Sequence, residues 1–218
     1  EQKIKYLSPV AAGEKLGCFG LTEAGAGSDP VRLRTTAVLE GDEWVINGEK
    51  KFITSGNVAG FCVLAAVTDK EKGSKGISTF VVDLENTPGY SLGRVEEKMG
   101  INASGTAEMI FDNARLPKDA LLGKLGEGFK QMLSTLDGGR IGIASQAIGI
   151  GRAVLEEGLE YAKTREQFGH PISGFQAIQW KLADMATRLE AAEQAVLGHP
   201  CIDRSANVDQ RKFFRLDE

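Results

Sequence analysis

TTAVLEGDEWVINGEKKFIT, residues 35–54, is the stretch on which the reading of the fold turns. Its β-branched and aromatic residues surround two turn signals, Glu40-Gly41-Asp42 and Asn47-Gly48. The second dipeptide suits the positive φ angles of a two-residue hairpin turn, so the stretch reads as a three-strand meander. Outward from it, FCVLAAVT (61–68), ISTFVVDLE (77–85), YSLGRVE (90–96) and AEMIFDNARLP (107–117) continue the pattern across Lys/Gly-rich or Pro-Gly breaks. Strands this short and this regularly spaced predict an antiparallel barrel or sandwich rather than alternating βαβ units.

After about residue 128 the apolar period changes from two to three and four. Phe129, Met132, Leu133, Leu136, Ile143, Ala147, Val154 and Leu155 mark one face of a long helix. Glycines at 138, 139, 142, 149 and 151 weaken it by roughly 1 kcal/mol each relative to Ala, which points to close packing or ligand approach where side chains are missing. A second helix is marked by Phe175, Ile178, Leu182, Met185, Leu189, Ala192 and Val196. Two helices with single apolar stripes read as the start of a larger bundle. From Gly198 the pattern stops, and residues 198–218 read as an irregular tail.

Composition sets the outer limits. Of 218 residues, 42% are hydrophobic and 26% charged, with a net charge of −4. That is a globular profile and not that of a broadly basic nucleic-acid binder. No apolar run reaches the ~20 residues of a membrane helix. Cys18, Cys62 and Cys201 are far apart and lack metal-ligand spacing, so neither a disulfide framework nor a metal site is indicated and a reducing compartment is expected. The chain opens at Glu1 and its first methionine is Met99, so it is read as a fragment of a longer protein.

The sharpest local motif is GLTEAGAGSD, residues 20–29. Gly25 and Gly27 allow a tight turn that presents N–H groups to an anion or a flat ring, and Ser28 adds a hydroxyl; a plain turn has the same composition. The motif is neither a Walker loop nor a Rossmann fingerprint. In KKFITSG, Phe52 and Thr54 stand two apart and share one side of a strand, which suits a ring with one polar edge or, equally, a barrel core. In LDGGR, Asp137 and Arg140 share a helix face and can pair or bind. KTREQFGHPISGFQ, residues 163–176, reads as a helix-to-helix loop that carries Arg165, a bidentate phosphate ligand by chemistry, and His170, read as packing there. His199 falls in the tail.

In this order the motifs resemble the acyl-CoA dehydrogenase family. GLTEAGAGSD is similar to its first signature, KKFITSG to its second flavin-contacting strand, LDGGRIGIA to its substrate helix, and YAKTREQFGHPISGFQAI to the segment that reaches a neighbouring subunit's flavin. LDGGR, KLGCFGLTE and KMGINASGTAEMIFDNARLP are most similar to the short-chain, butyryl-CoA type. The resemblance implies an α+β, multi-domain fold: a flavin-binding antiparallel β-barrel or sandwich over residues 1–120, then the first helices of a C-terminal four-helix bundle over residues 121–197. It implies FAD, held by Phe19, Leu21, Thr22, Gly27 and Ser28 and by Phe52 and Thr54 beside the isoalloxazine, with Thr54 near N5. Arg165, Phe168 and Gln176 would contact the FAD of an adjacent subunit. Ser28, Asp137, Gly138, Gly139 and Arg140 would face the acyl-CoA, and Phe129 and Leu133 would wall its pocket or fill the bundle core.

The chemistry so implied is α,β-dehydrogenation in fatty acid β-oxidation. A carboxylate takes the α-proton, the β-hydrogen leaves as hydride to the flavin, and a trans-2-enoyl-CoA results. The implied partners are an acyl-CoA, electron-transfer flavoprotein and further copies of the chain in a homotetramer, in bacterial cytoplasm or, for a eukaryotic source, the mitochondrial matrix. The family's base is a Glu in a late YEGT-like segment or, in a minority, at the position here held by Gly139. The resemblance therefore places the base outside this chain and implies an inactive fragment. Arg32 stands where the family has a small residue. A non-catalytic flavin- and CoA-binding module, or an acyl-CoA oxidase that uses oxygen, would carry the same motifs.

Overall fold

The computed structural model describes residues 1–198, and the tail expected over 198–218, with His199 and Cys201, lies outside the described residues from 199 onward. The element order is α1 (Gln2–Ala11), β1 (Gly17–Gly20), β2 (Thr36–Glu40), β3 (Glu43–Thr54), β4 (Phe61–Val67), β5 (Ile77–Asp83), β6 (Tyr90–Val95), β7 (Thr106–Pro117), α2 (Gly128–Thr164), β8 (Glu166–Gln167), β9 (His170–Pro171) and α3 (Gln176–Leu197). Two compact units result, residues 1–134 and residue 135 onward, and the division falls inside α2.

The first unit is built on a mixed sheet of seven strands rather than the purely antiparallel one expected. Its long pairings, β2 with β3, β3 with β7, β7 with β6 and β4 with β5, are antiparallel. Two parallel contacts join them. β1 runs along β4 from Gly17/Phe61 to Gly20/Leu64, and Thr36 of β2 meets Val67. The core lies against the inner face, where Trp44 and Phe80 meet edge to face at 5.0 Å among Ile46, Leu64, Val82, Met109 and Leu116. Cys18 and Cys62 are register partners in this core and both are free thiols. The Cys18 hydrogen bond and burial push the Cys62 thiol well above its ordinary value.

The meander expected over residues 35–54 is a two-strand hairpin instead. Glu40-Gly41-Asp42 turns the chain, but Asn47-Gly48 lies within β3, where the pairing with β7 shifts between Ile46 and Gly48. Gly48 has φ +144°, and a Cβ there would sit 2.6 Å from the Thr35 Cα. The extra residue of this bulge lies on β7, where Asn113 takes φ +49°, and Gly48 opposite it serves the close backbone approach to Thr35, which mimics a turn signal in the sequence.

In the second unit, α2 and α3 pack through small residues. A Cβ on Gly151 would meet Leu189 at 3.1 Å and one on Gly158 would meet Leu182 at 3.7 Å. Arg152 also pairs with Glu193. No residue of α3 is fully buried, although Ile178, Leu182, Leu189 and Val196 are half-buried.

Candidate functional site

The first unit brings the GLTEAGAGSD loop against β3. Strand β1 delivers half-buried Phe19 and then Leu21, whose side chain is buried. The chain next makes a tight two-way backbone pairing, Glu23 with Ala26, at 3.1 Å each way. This turn exposes Gly25, Gly27 and Ser28, and the space about both glycine Cα atoms is open. Thr22, half-buried, offers its carbonyl to the Lys51 N–H at 2.9 Å.

A buried ion pair anchors the turn. Lys50 Nζ donates to Glu23 Oε1 at 2.7 Å and to the Leu21 carbonyl at 3.1 Å. The Glu23 carboxylate also accepts from the backbone N–H of Arg34 at 2.7 Å and of Thr35 at 3.0 Å. Lys50 is 0% exposed and Glu23 7%. Burial pushes the Glu23 carboxyl up, but the Lys50 charge and the hydrogen bonds outweigh it and hold it below the ordinary carboxylate value. For Lys50 burial wins, and the ammonium sits below its ordinary value despite Glu23.

The loop and strand motifs do not reveal this pair, although β3 carries a signal for it. Trp44, Ile46 and Lys50 have the same parity, so a lysine stands on the core side of the strand and requires a buried partner.

Two residues past Lys50, the β3–β7 register shifts again between Lys50 and Ile53. Phe52 there takes φ +57° and is 62% exposed. Thr54 is exposed on the other side of buried Ile53, and the chain then turns through Ser55 at φ +61°. Among the described residues neither the Thr54 nor the Ser28 hydroxyl has a protein hydrogen-bond partner. A large aromatic held at positive φ in water is costly without a ligand, and a bare ring beside a free hydroxyl suits a planar heterocycle with a polar edge. Further along this unit, Phe129 is half-buried and Leu133 is 37% exposed on the first turns of α2.

The second unit holds the remaining candidates. Asp137 and Arg140 pair with each other at 2.5 Å on the exposed face of α2. Gly138 and Gly139 between them have nothing within 4 Å of a built Cβ. The expected loop over residues 163–176 contains a small hairpin instead, β8 with β9. Phe168 and Gly169 form its tip at φ +54° and +81°, the two positive angles of a type I′ turn. That signal is hard to read because Phe at positive φ is rare. Phe168 is 89% exposed, Arg165 begins the hairpin and Gln176 opens α3 just beyond it, both exposed. His170 packs its ring on Phe175 at 4.5 Å, as expected of a packing residue. Among the described residues no group of His, Cys, Asp or Glu is placed to hold a metal ion.

Residues 18–114 match the family model described as acyl-CoA dehydrogenase, middle domain, and residues 126–199 match acyl-CoA dehydrogenase, C-terminal domain. The chain belongs to the acyl-CoA dehydrogenase family. Members of this family are oxidoreductases acting on CH–CH groups. Among its curated relatives, the "Acyl-CoA dehydrogenase, short-chain specific" of Clostridium acetobutylicum is 50% identical over 196 residues, which are 90% of this chain and 52% of that protein. Butyryl-CoA dehydrogenase from Megasphaera elsdenii superposes with a TM-score of 0.88 at 46% identity, over 92% of this chain and 52% of that one. A chain from a structure described as electron transferring flavoprotein of Acidaminococcus fermentans gives a TM-score of 0.88 at 52% identity, over 90% of this chain and 52% of that one. The chain thus spans about half the length of these acyl-CoA dehydrogenase relatives.

Proposed function

We propose that this chain is the β domain, residues 1–120, and the opening helices, residues 121–197, of an FAD-dependent short-chain acyl-CoA dehydrogenase that converts butyryl-CoA and similar thioesters to trans-2-enoyl-CoAs. The observation that carries the reading is that one unit presents exposed Phe52, the unpartnered Thr54 and Ser28 hydroxyls and an open Gly25–Gly27 turn, on a loop and a strand joined by the Lys51 N–H on the Thr22 carbonyl. These groups fit a flavin, with an aromatic face for the ring, hydroxyls for its polar edge and room at the glycines for close approach. FAD, when bound, supplies the acceptor for the β-hydrogen.

Each named residue has a part in that scheme. Phe19, Leu21, Thr22, Gly27 and Ser28 hold the cofactor from the first loop, and Phe52 and Thr54 orient its ring. Ser28, Asp137, Gly138, Gly139 and Arg140 receive the thioester, the bare α2 surface at the two glycines leaving space for the acyl chain. Phe129 and Leu133 exclude water from that chain, which keeps the acidified α-proton from exchanging with solvent. Arg165, Phe168 and Gln176 reach the FAD of an adjacent subunit, so the complete site needs at least two copies and the assembly is a tetramer. The general base is a Glu outside these residues, so the chain alone binds and does not turn over.

The relatives' descriptions support short-chain acyl-CoA as substrate and electron-transfer flavoprotein as the electron acceptor. Among the described residues no helix is long and apolar enough to cross a membrane. Bacterial and mitochondrial relatives support the bacterial cytoplasm or, for a eukaryotic source, the mitochondrial matrix.

The test is enoyl-CoA formation by the full-length protein across acyl-CoA lengths, with electron-transfer flavoprotein or oxygen as acceptor. Turnover highest on butyryl-CoA with the flavoprotein is expected. Oxygen consumption in place of flavoprotein reduction would make the protein an oxidase, and no enoyl product at any length would overturn the reading.

A further inference from the structure

The Glu23–Lys50 pair is larger in connectivity than an ion pair needs to be. Through its four hydrogen bonds it ties the Leu21 carbonyl, the β3 ammonium and the backbone N–H groups of Arg34 and Thr35 into one node. Leu21 and Glu23 flank Thr22, and Lys50 precedes Phe52 by two residues. The Lys51 N–H closes the same junction on the Thr22 carbonyl at 2.9 Å. The two Lys50 bonds and the Lys51–Thr22 bond therefore fix the first loop to the strand that presents Phe52 and Thr54, and the two bonds from Arg34 and Thr35 fix it to the segment that enters β2.

We propose that Glu23 and Lys50 are positioning residues that set the spacing between the Thr22–Ser28 loop and the Phe52–Thr54 edge, and through it the affinity for FAD. The inference rests on the flavin reading above. Its physical basis is that a buried pair is a poor source of net stability, since desolvation offsets most of the attraction, but a source of geometric definition when its groups are held by several hydrogen bonds at once. Among the described residues no buried side-chain polar atom lacks a partner, so a change in reach must be met by movement of the bonded backbone or loss of a bond. A node of this kind transmits a small change in side-chain length to the loop backbone.

Glu23→Asp tests this directly. The variant keeps the charge balance and shortens the carboxylate's reach by one methylene, which draws the loop toward β3. We expect an unfolding midpoint close to that of the parent, a Kd for FAD raised about tenfold, and a changed visible absorption band of bound flavin. A second variant, Glu23→Gln with Lys50→Gln, removes the charges and keeps hydrogen-bonding groups at both positions, and the same flavin changes are expected. Glu85→Gln, which breaks the exposed Lys15–Glu85 pair elsewhere in the unit, is the control and should leave FAD binding unchanged. A folded Glu23→Asp protein that binds FAD with parental Kd and spectrum would overturn the proposal. Failure of both node variants to fold would also overturn it, by making the node a stability element. If the unsubstituted protein itself binds no FAD, the flavin reading fails rather than the positioning role.

Discussion

A lysine with no exposed surface sets the terms at the scale of single residues. Lys50 is tolerated inside the sheet only because Glu23 and the Leu21 carbonyl meet its ammonium. Removing one partner strands the other, so Lys50→Met should cost about 3–5 kcal/mol, read from denaturant unfolding. A loss below about 1 kcal/mol would show that Glu23 is relieved by water. The pair also has a pH signature. Glu23 is held below its ordinary value in the fold, so its contribution is present above the unfolded carboxylate pKa of about 4.3. It is lost as pH falls through the lower folded value. The acid limb of the stability curve should therefore be shallower in Glu23→Gln than in the parent, and equal limbs would contradict the assignment.

The elements show how a glycine's meaning depends on what stands opposite it. Gly151 makes room for Leu189, whereas Gly138, Gly139, Gly142 and Gly149 face open space and weaken α2 with no packing gain. Gly149→Ala should raise stability by about 0.5–1 kcal/mol and leave acyl-CoA binding alone. Gly139→Ala should give the same stabilisation and weaken acyl-CoA binding, about tenfold by titration, because the added methyl enters the proposed substrate face. Equal binding in both variants would remove Gly139 from that face. At the β8–β9 tip, Phe168→Ala should leave the unfolding midpoint within a few degrees and reduce FAD retention, measured by flavin content after gel filtration. Unchanged retention would remove the tip from the cofactor site.

These elements also mark where the sequence was legible. The strand runs and the two amphipathic helices are visible because their periods match buried faces. The glycine in Asn47-Gly48 mimics a turn because a close backbone approach at positive φ asks for the same residue as a hairpin turn. The Phe168-Gly169 hairpin was missed because its two-residue strands leave no alternation to count. Glu23 and Lys50 are hard to pair from sequence because their partnership joins residues far apart in the chain, and only the parity of β3 hints at it.

For the whole molecule, each of the two units carries candidate residues of its own. The β unit holds the loop, the bulged aromatic and the free hydroxyls, and the helical unit holds the Asp137–Arg140 pair and the Phe168 hairpin. Family membership rests on matches to both domains. The flavin and thioester roles rest on the chemistry each unit presents. The most direct measurement is an anaerobic titration of the FAD-loaded, full-length protein with butyryl-CoA, followed by visible absorbance. The account predicts bleaching of the oxidised flavin band with stoichiometric formation of the trans-2-enoyl-CoA. A flavin band that stays oxidised with butyryl-CoA and with every other acyl-CoA tried would contradict it.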